Sequence, residues 1–86
     1  MTTALRKELQ KILAETFRIA LEDLPEAPTA DNTKGWDSLA HMTLIETLEH
    51  RFGVTINHEE SVSLLSEQEI IDFLKAKGID IPGGAA

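Results

Sequence analysis

The sequence contains no cysteine and has few basic residues. Without thiols the chain can form neither a disulfide framework nor a thiolate metal site. Its 8 Lys and Arg residues stand against 15 Asp and Glu residues, which gives a formal net charge of −7. Nucleic-acid binding is therefore not expected, because phosphate contacts need a basic surface. A protein partner with a basic surface is the natural complement.

Long apolar runs, a recognisable signal peptide and internal repeats are also missing. A membrane-spanning helix needs about 20 consecutive apolar residues, so we expect a cytoplasmic protein with no membrane contact. A chain of 86 residues allows one domain with a modest core. We predict a single domain over residues 1–82 and a flexible tail over residues 83–86, where two glycines and two alanines follow Pro82.

Apolar periodicity and capping residues predict four helical segments. The first begins near Thr3, with Thr2 and Thr3 as N-cap candidates, and propensity alone would carry it to Leu24. Prolines and turn formers then predict a long connection as far as Trp36. The later helices are predicted at about residues 38–51, 58–64 and 67–77, with capping boxes at Asn57 and Ser66 and left-handed ends at Gly53 and Gly78. The predicted fold is all-α, a small bundle of three main helices and one short one.

The predicted core comes from the apolar faces of these helices. In the second helix Leu39, Met42, Ile45, Leu48 and Phe52 recur at spacings of three or four residues. The residues expected in the core of the later helices are Met42, Ile45, Leu48, Val62, Leu65 and Ile70. Trp36 is expected to pack over the rim of the bundle.

The chain contains three histidines, and we expect all three on the surface. They are His41, His50 and His58. Their spacing matches no histidine motif that binds metal, so no metal site is predicted.

The tripeptide Asp37-Ser38-Leu39 opens the second helix. A serine at a helix start often caps a free amide. Asp37 can take that role instead, which leaves the Ser38 hydroxyl near solvent and near the positive end of the helix dipole. Ser38 is therefore a candidate attachment point. His41 raises the alternative of a serine–histidine pair, but catalysis also needs an orienting acid, an oxyanion hole and a shielded pocket, so no enzymatic activity is predicted.

The segment that begins here resembles the acyl carrier proteins. Asp37-Ser38-Leu39 is followed by hydrophobic positions at helical spacing, and Glu49 with Phe52-Gly53 closes the segment. The resemblance covers roughly residues 5–74, and the related peptidyl carrier proteins share the tripeptide. It implies a four-helix bundle whose first helix ends earlier than propensity suggests, near residue 17.

The resemblance also implies a covalent cofactor. Ser38 would carry 4′-phosphopantetheine, with Asp37 and Leu39 as its motif neighbours. In the family, a separate phosphopantetheinyl transferase moves this arm from coenzyme A onto the serine and supplies the catalytic base and the magnesium. The thiol of the arm then carries acyl groups as thioesters between enzymes of fatty acid, polyketide or dedicated secondary pathways. The implied partners are that transferase and the enzymes that load or accept the acyl group.

An acidic surface beyond Ser38 is a candidate docking face for basic partners, although an ordinary solvated acidic surface explains it equally well. Its residues are Glu46, Glu49, Glu59 and Glu60. The second helix is less acidic than is common in fatty-acid carriers, because it contains His41, His50 and Arg51, so a dedicated pathway is at least as well supported. Two alternatives remain open: a peptidyl or aminoacyl carrier, and an unmodified acidic helical adaptor. We expect a monomer.

Overall fold

The computed structural model describes residues 4–79, which form a small all-α bundle. The helices within this range are α1 (Ala4–Phe17), α2 (Ser38–Phe52), α3 (His58–Ser61) and α4 (Glu67–Ala76), together with a 3-10 turn at Leu21–Asp23. The predicted fold class, three main helices and one short one, is confirmed. None of the helices in residues 4–79 has the length and apolar character needed to cross a bilayer. Thr2, Thr3 and the predicted tail lie outside the described residues.

Helix α1 is the centre of the bundle, and both α2 and α4 pack against it. Its buried side chains are Leu5, Leu9, Ile12, Leu13, Ala14 and Phe17. These positions recur every three or four residues, so they form one continuous stripe toward the core. The stripe meets Leu44, Ile45 and Leu48 of α2 and Ile70, Ile71 and Leu74 of α4. Each fully buried leucine or isoleucine contributes about 1.5–3 kcal/mol of burial free energy.

Helix α1 ends at Phe17 because the next residue leaves the helical conformation. Arg18 has a φ of 57°, and the following Ile19 N–H donates to the Ala14 carbonyl oxygen at 3.1 Å. This is the hydrogen bond of a left-handed helix end. The early stop implied by the resemblance is confirmed, and the continuation to Leu24 that propensity allows is wrong.

The two predicted glycine ends are also confirmed. Gly53 follows α2 with a φ of 65°, and Gly78 follows α4 with a φ of 84°. The Ile79 N–H then donates to the Leu74 carbonyl oxygen at 2.9 Å, and Ile79 packs against the core. These ends fix where the two helices stop to within one residue of the predicted positions.

The long connection between α1 and α2 is held against the segment between α3 and α4. The Ala30 N–H donates to the Leu65 carbonyl oxygen, and the Glu67 N–H donates to the Pro28 carbonyl oxygen, both at 2.8 Å. These bonds satisfy backbone groups that burial would otherwise leave unpaired. Pro28 itself is fully buried. The connection is therefore a packed part of the fold.

Gly35 allows the end of this connection to lie against α1. Its φ is 90°, and a Cβ atom there would lie 2.9 Å from the Phe17 carbonyl oxygen. Only glycine accepts both the backbone angle and the close approach. The next residue, Trp36, stacks on the Phe17 ring with 4.9 Å between the ring centroids. Trp36 is buried and packs with the core, as predicted.

Helix α3 is shorter than predicted and ends at Ser61 instead of residue 64. The Ser61 hydroxyl donates to the His58 carbonyl oxygen, and the Ser63 hydroxyl donates to the Glu60 carbonyl oxygen, both at 2.8 Å. Serine hydroxyls that bond to nearby carbonyls compete with helical hydrogen bonds, which favours an early end.

The two predicted capping boxes differ in the structure. Asn57 and Glu60 form a complete box, in which each side chain accepts from the other residue's backbone N–H. Ser66 accepts from the Glu69 N–H at 3.1 Å, but the Glu69 carboxylate accepts from the Leu65 N–H instead of the Ser66 N–H. In a capping box the Glu69 carboxylate would accept from the N-cap residue, Ser66. Here it accepts from the residue before the N-cap, so the box at α4 is incomplete.

Leu39, which the pattern placed on the apolar face of α2, is 75% exposed, and three residues predicted for the core are exposed as well. The exposed fractions are 64% for Met42, 53% for Val62 and 44% for Leu65. The prediction fails because α3 is a single turn and covers little of α2. Leu44 occupies the core position that the sequence pattern assigned to Met42.

Candidate attachment site at the start of helix α2

Asp37 is the N-cap of α2, the role that the sequence left open to it. Its backbone is extended, and its Oδ1 atom accepts a hydrogen bond from the Ala40 N–H at 2.8 Å. The Asp37 carbonyl oxygen accepts the first helical hydrogen bond, from the His41 N–H at 2.8 Å. A negative side chain at this end also complements the helix dipole.

Ser38 is the first residue of α2, and its side chain is exposed. Because Asp37 caps the helix, the Ser38 hydroxyl is not needed for that role. No described residue forms a hydrogen bond with this hydroxyl. The adjacent Leu39 is 75% exposed, so a second protein can approach the serine from outside.

An open groove of about 810 Å³ lies beside Ser38. From the region of α2 it is lined by Trp36, Asp37, Ser38, His41, Met42, Ile45 and Glu46, and from the opposite side by His58, Ser61, Val62 and Leu65. The three exposed residues that the sequence assigned to the core, Met42, Val62 and Leu65, are thus walls of this groove. Its volume is in the range of sites that hold small organic molecules.

His41 lies in this open groove and is half-buried, so it is less exposed than an ordinary surface histidine. Its Nδ1 atom is 3.1 Å from the Trp36 indole nitrogen, and its Nε2 atom is 2.8 Å from the Ser61 carbonyl oxygen. Both ring nitrogens are therefore engaged, and neither bonds to Ser38. Sequence reasoning missed this arrangement because no local pattern connects residues 41 and 61. The other two histidines, His50 and His58, are exposed.

The four acidic residues of the predicted docking face have different environments. Glu46 and Glu59 are exposed, and Glu46 lines the groove. Glu49 accepts a hydrogen bond from the Ile56 N–H at 2.9 Å. Glu60 belongs to the capping box of α3 and lies 3.5 Å from the Lys77 ammonium. Two of the four carboxylates therefore stabilise the fold itself.

The Asn57 N–H lowers the pKa of Glu60 below its ordinary value of 4.5, since it donates to the charged carboxylate. The Lys77 ammonium lowers this pKa further, and partial desolvation opposes both effects. Glu60 is thus held in its charged form by contacts within the chain.

Within residues 4–79, no cluster of three or more histidine or acidic side chains is arranged to hold a metal ion. No protein-family model matches this chain. The resemblance to acyl carrier proteins therefore depends on Asp37-Ser38-Leu39, on its position at the start of α2 and on the bundle around it.

Proposed function

We propose that the chain is a carrier protein in which Ser38 bears 4′-phosphopantetheine and acyl groups travel as thioesters on this arm. The observation that carries the proposal is the Ser38 hydroxyl, which is exposed at the first position of α2 and has no hydrogen-bond partner among residues 4–79, while Asp37 caps the helix. When attached, the arm supplies a terminal thiol that forms thioesters. The chain itself positions the attachment point and carries out no step of the acyl chemistry.

The environment of Ser38 fits a phosphodiester on its oxygen. The first amides of a helix have no intrahelical acceptor, and together with the dipole they favour an anion. Asp37 opposes this effect because it is negative, but it is exposed and its Oδ1 atom is bonded to the Ala40 N–H. Solvent screens the repulsion between exposed charges. The net electrostatic effect of the helix end is therefore small, and steric access to Ser38 is the main contribution.

The groove beside Ser38 supports an apolar cargo. Met42, Val62 and Leu65 expose apolar side chains along it, and a methionine adapts its shape to different neighbours. Burial of apolar surface contributes roughly 25 cal/mol for each Å² removed from water. An acyl chain thus gains more from this groove than a polar group of the same size.

The outer surface near Ser38 supports partners with a basic, partly apolar face. Leu39 is exposed next to the serine, and the exposed Glu46 and Glu59 add negative charge. Complementary charge speeds the encounter of two proteins and suppresses wrong partners. The proposed partners are a phosphopantetheinyl transferase and the enzymes that load and accept the acyl group, in a fatty acid, polyketide or dedicated secondary pathway.

The test is the intact mass of the protein after incubation with coenzyme A, magnesium and a broad-specificity transferase. We expect wild type to gain the mass of one phosphopantetheine and Ser38→Ala to gain none. Ser61→Ala is the matched control, because Ser61 lines the same groove but is half-buried, and this variant should be modified like wild type. A known carrier protein that is modified in the same assay serves as the positive control. If wild type then gains no mass, or if Ser38→Ala gains as much as wild type, the proposal is wrong.

A further inference from the structure

One side chain, His41, joins the two walls of the groove beside Ser38. It belongs to α2, and its Nδ1 atom meets the indole nitrogen of Trp36, which precedes the helix, at 3.1 Å. Its Nε2 atom meets the carbonyl oxygen of Ser61, the last residue of α3, at 2.8 Å. The imidazole thus bridges segments that are 20 residues or more apart in sequence.

The chemistry of the two partners determines where the imidazole proton lies. An indole N–H can only donate a hydrogen bond, so Nδ1 of His41 must accept. A carbonyl oxygen can only accept, so Nε2 must donate. The neutral ring with its proton on Nε2 satisfies both contacts. A charged ring carries a proton on each nitrogen and would place the Nδ1–H against the Trp36 N–H.

Helix α3 depends on such contacts because it is one turn long. Within residues 4–79, two polar contacts tie it to other helices: Glu60 to Lys77, which caps the end of α4, and His41 to the Ser61 carbonyl oxygen. The first pair is exposed in part, and such pairs contribute little because solvent screens them. The His41 bond lies in the half-buried groove wall and holds the end of α3 to α2.

We propose that His41 is a positioning residue: the bond from its Nε2–H to the Ser61 carbonyl oxygen fixes the distance between α2 and α3, and thereby the shape of the groove, while its neutral ring also accepts from the Trp36 N–H. Protonation of His41 removes the acceptor for the Trp36 N–H, whereas the Nε2–H keeps its hydrogen bond to the Ser61 carbonyl oxygen. Removal of the imidazole, which ends the contact with Ser61, opens the groove along Ser61, Val62 and Leu65. This role belongs to the unmodified chain, so it holds whether or not Ser38 carries an arm.

The other charged and titratable groups near the groove are few. Asp37 and Glu46 line it from the side of α2, and His58 lines it from α3. Of the two acids on α3, Glu59 is exposed, and Glu60 is occupied by Lys77 and by the Asn57 N–H. Carboxylates ordinarily titrate well below an imidazole, so His58 is the one group in the groove that requires its own control.

The first measurement is nitrogen NMR on the wild-type protein. The chain has a single tryptophan, so one indole N–H resonance reports the Trp36 contact without ambiguity. At about pH 8, above the usual range of imidazole titration, we expect His41 as the Nε2–H tautomer and a slowly exchanging indole N–H. Lowering the pH to about 5 should move the indole resonance and the His41 nitrogens with one common midpoint. An Nδ1–H tautomer at the higher pH, or an indole resonance that does not follow His41, would contradict the proposal.

Matched variants then separate the two contacts. His41→Gln has a side-chain amide that can reach Ser61 but loses the ring acceptor for Trp36, whereas His41→Phe loses both contacts. In His41→Phe we expect the backbone amides of residues 61–64 to exchange roughly tenfold faster, as loss of one hydrogen bond implies. His41→Gln should restore most of the protection, and both variants should lose the pH response of the indole N–H.

Two controls complete the experiment. Trp36→Phe keeps the ring stack on Phe17 and removes only the indole donor, so its α3 amides should stay protected at high pH. His58→Gln should behave like wild type. Unchanged exchange at residues 61–64 in His41→Phe, or loss of the pH response in His58→Gln, would overturn the role of His41. Neither result affects the mass test on Ser38. The positioning role of His41 and the attachment role of Ser38 can therefore be refuted independently.

Discussion

Asp37 and Ser38 are adjacent polar residues with different roles in the structure. Asp37 accepts from the Ala40 N–H and caps α2, while the Ser38 hydroxyl has no partner among the described residues. Either residue type is suited to a helix N-cap, so the difference comes from position alone. The residue that caps the helix contributes stability, and the hydroxyl of the following residue stays exposed.

The difference predicts unequal effects of alanine at the two positions. Asp37→Ala should lower the free energy of unfolding by about 1 kcal/mol, because an amide of the first turn loses its acceptor. Ser38→Ala should change it by less than about 0.5 kcal/mol, as is usual for an exposed side chain without contacts. Urea unfolding measures both. Asp37→Asn is the control that keeps the cap, and a loss in Ser38→Ala as large as that in Asp37→Ala would show that Ser38 is the cap.

Helix α3 is an element whose stability comes from polar contacts. It has four residues, none of them fully buried, and it begins with the complete capping box of Asn57 and Glu60. A helix of one turn cannot be stable alone, because nucleation costs more than so few backbone bonds return. The box and the flanking buried residues, Ile56 and Leu64, therefore hold it in place.

The lowered pKa of Glu60 predicts how the stability of the chain depends on pH. A carboxyl group with a lower pKa in the folded state stabilises the fold above its ordinary pKa of 4.5 and loses this contribution as the pH falls through the lowered value. The unfolded state binds more protons in that window, so stability should rise with pH there. Glu60→Gln should show a smaller loss of stability than wild type on going from pH 6 to pH 3, the range that brackets the ordinary pKa of 4.5.

Urea unfolding at both pH values measures this difference. Glutamine can still accept from the Asn57 N–H, so the variant removes the charge and keeps the box. Glu59→Gln, at the exposed neighbouring position, is the matched control and should retain the wild-type pH dependence. An identical pH dependence in Glu60→Gln and wild type would refute the stabilising role of the Glu60 charge.

At the scale of the whole molecule, an ion pair joins the first helix to the last. Arg6 of α1 lies 2.6 Å from Glu67, the first residue of α4, whose side chain is 1% exposed. Gln10 adds a weaker contact, at 3.4 Å. A second pair, Arg51 with Glu8, joins α2 to α1 but is more exposed. One pair thus contains a buried carboxylate, whereas both members of the other reach solvent.

These two pairs predict different costs for the same substitution. Arg6→Met should destabilise the protein by about 3 kcal/mol, because it leaves the Glu67 carboxylate buried without its counter-charge. Arg51→Met should cost less than about 1 kcal/mol, because both members of that pair reach solvent.

The double variant tests the physical reason. Arg6→Met with Glu67→Gln should be more stable than Arg6→Met alone, since the amide is neutral and Gln10 can still bond to it. Chemical denaturation of the four proteins gives the comparison. Equal costs for the two arginine variants, or no recovery in the double variant, would show that the buried charge is not the cause.

Much of the fold could be predicted from the sequence because its signals are local. Helix starts and ends depend on a few neighbouring residues, as at Asp37, Asn57, Gly53 and Gly78, and all four were located correctly. The apolar stripe of α1 was also predicted, since a period of three to four residues determines which side faces the core.

The walls of the groove and the role of His41 were decided by tertiary structure. Whether Met42 or Leu44 is buried depends on how much of α2 is covered, and that follows from the short length of α3. The contacts of His41 with Trp36 and Ser61 join distant parts of the chain, so no local pattern carries them. The sequence by itself determined a helical chain with a helix start at Asp37-Ser38, because capping signals are local. Only the tertiary structure decided which side chains surround that serine, because burial depends on which segments pack together.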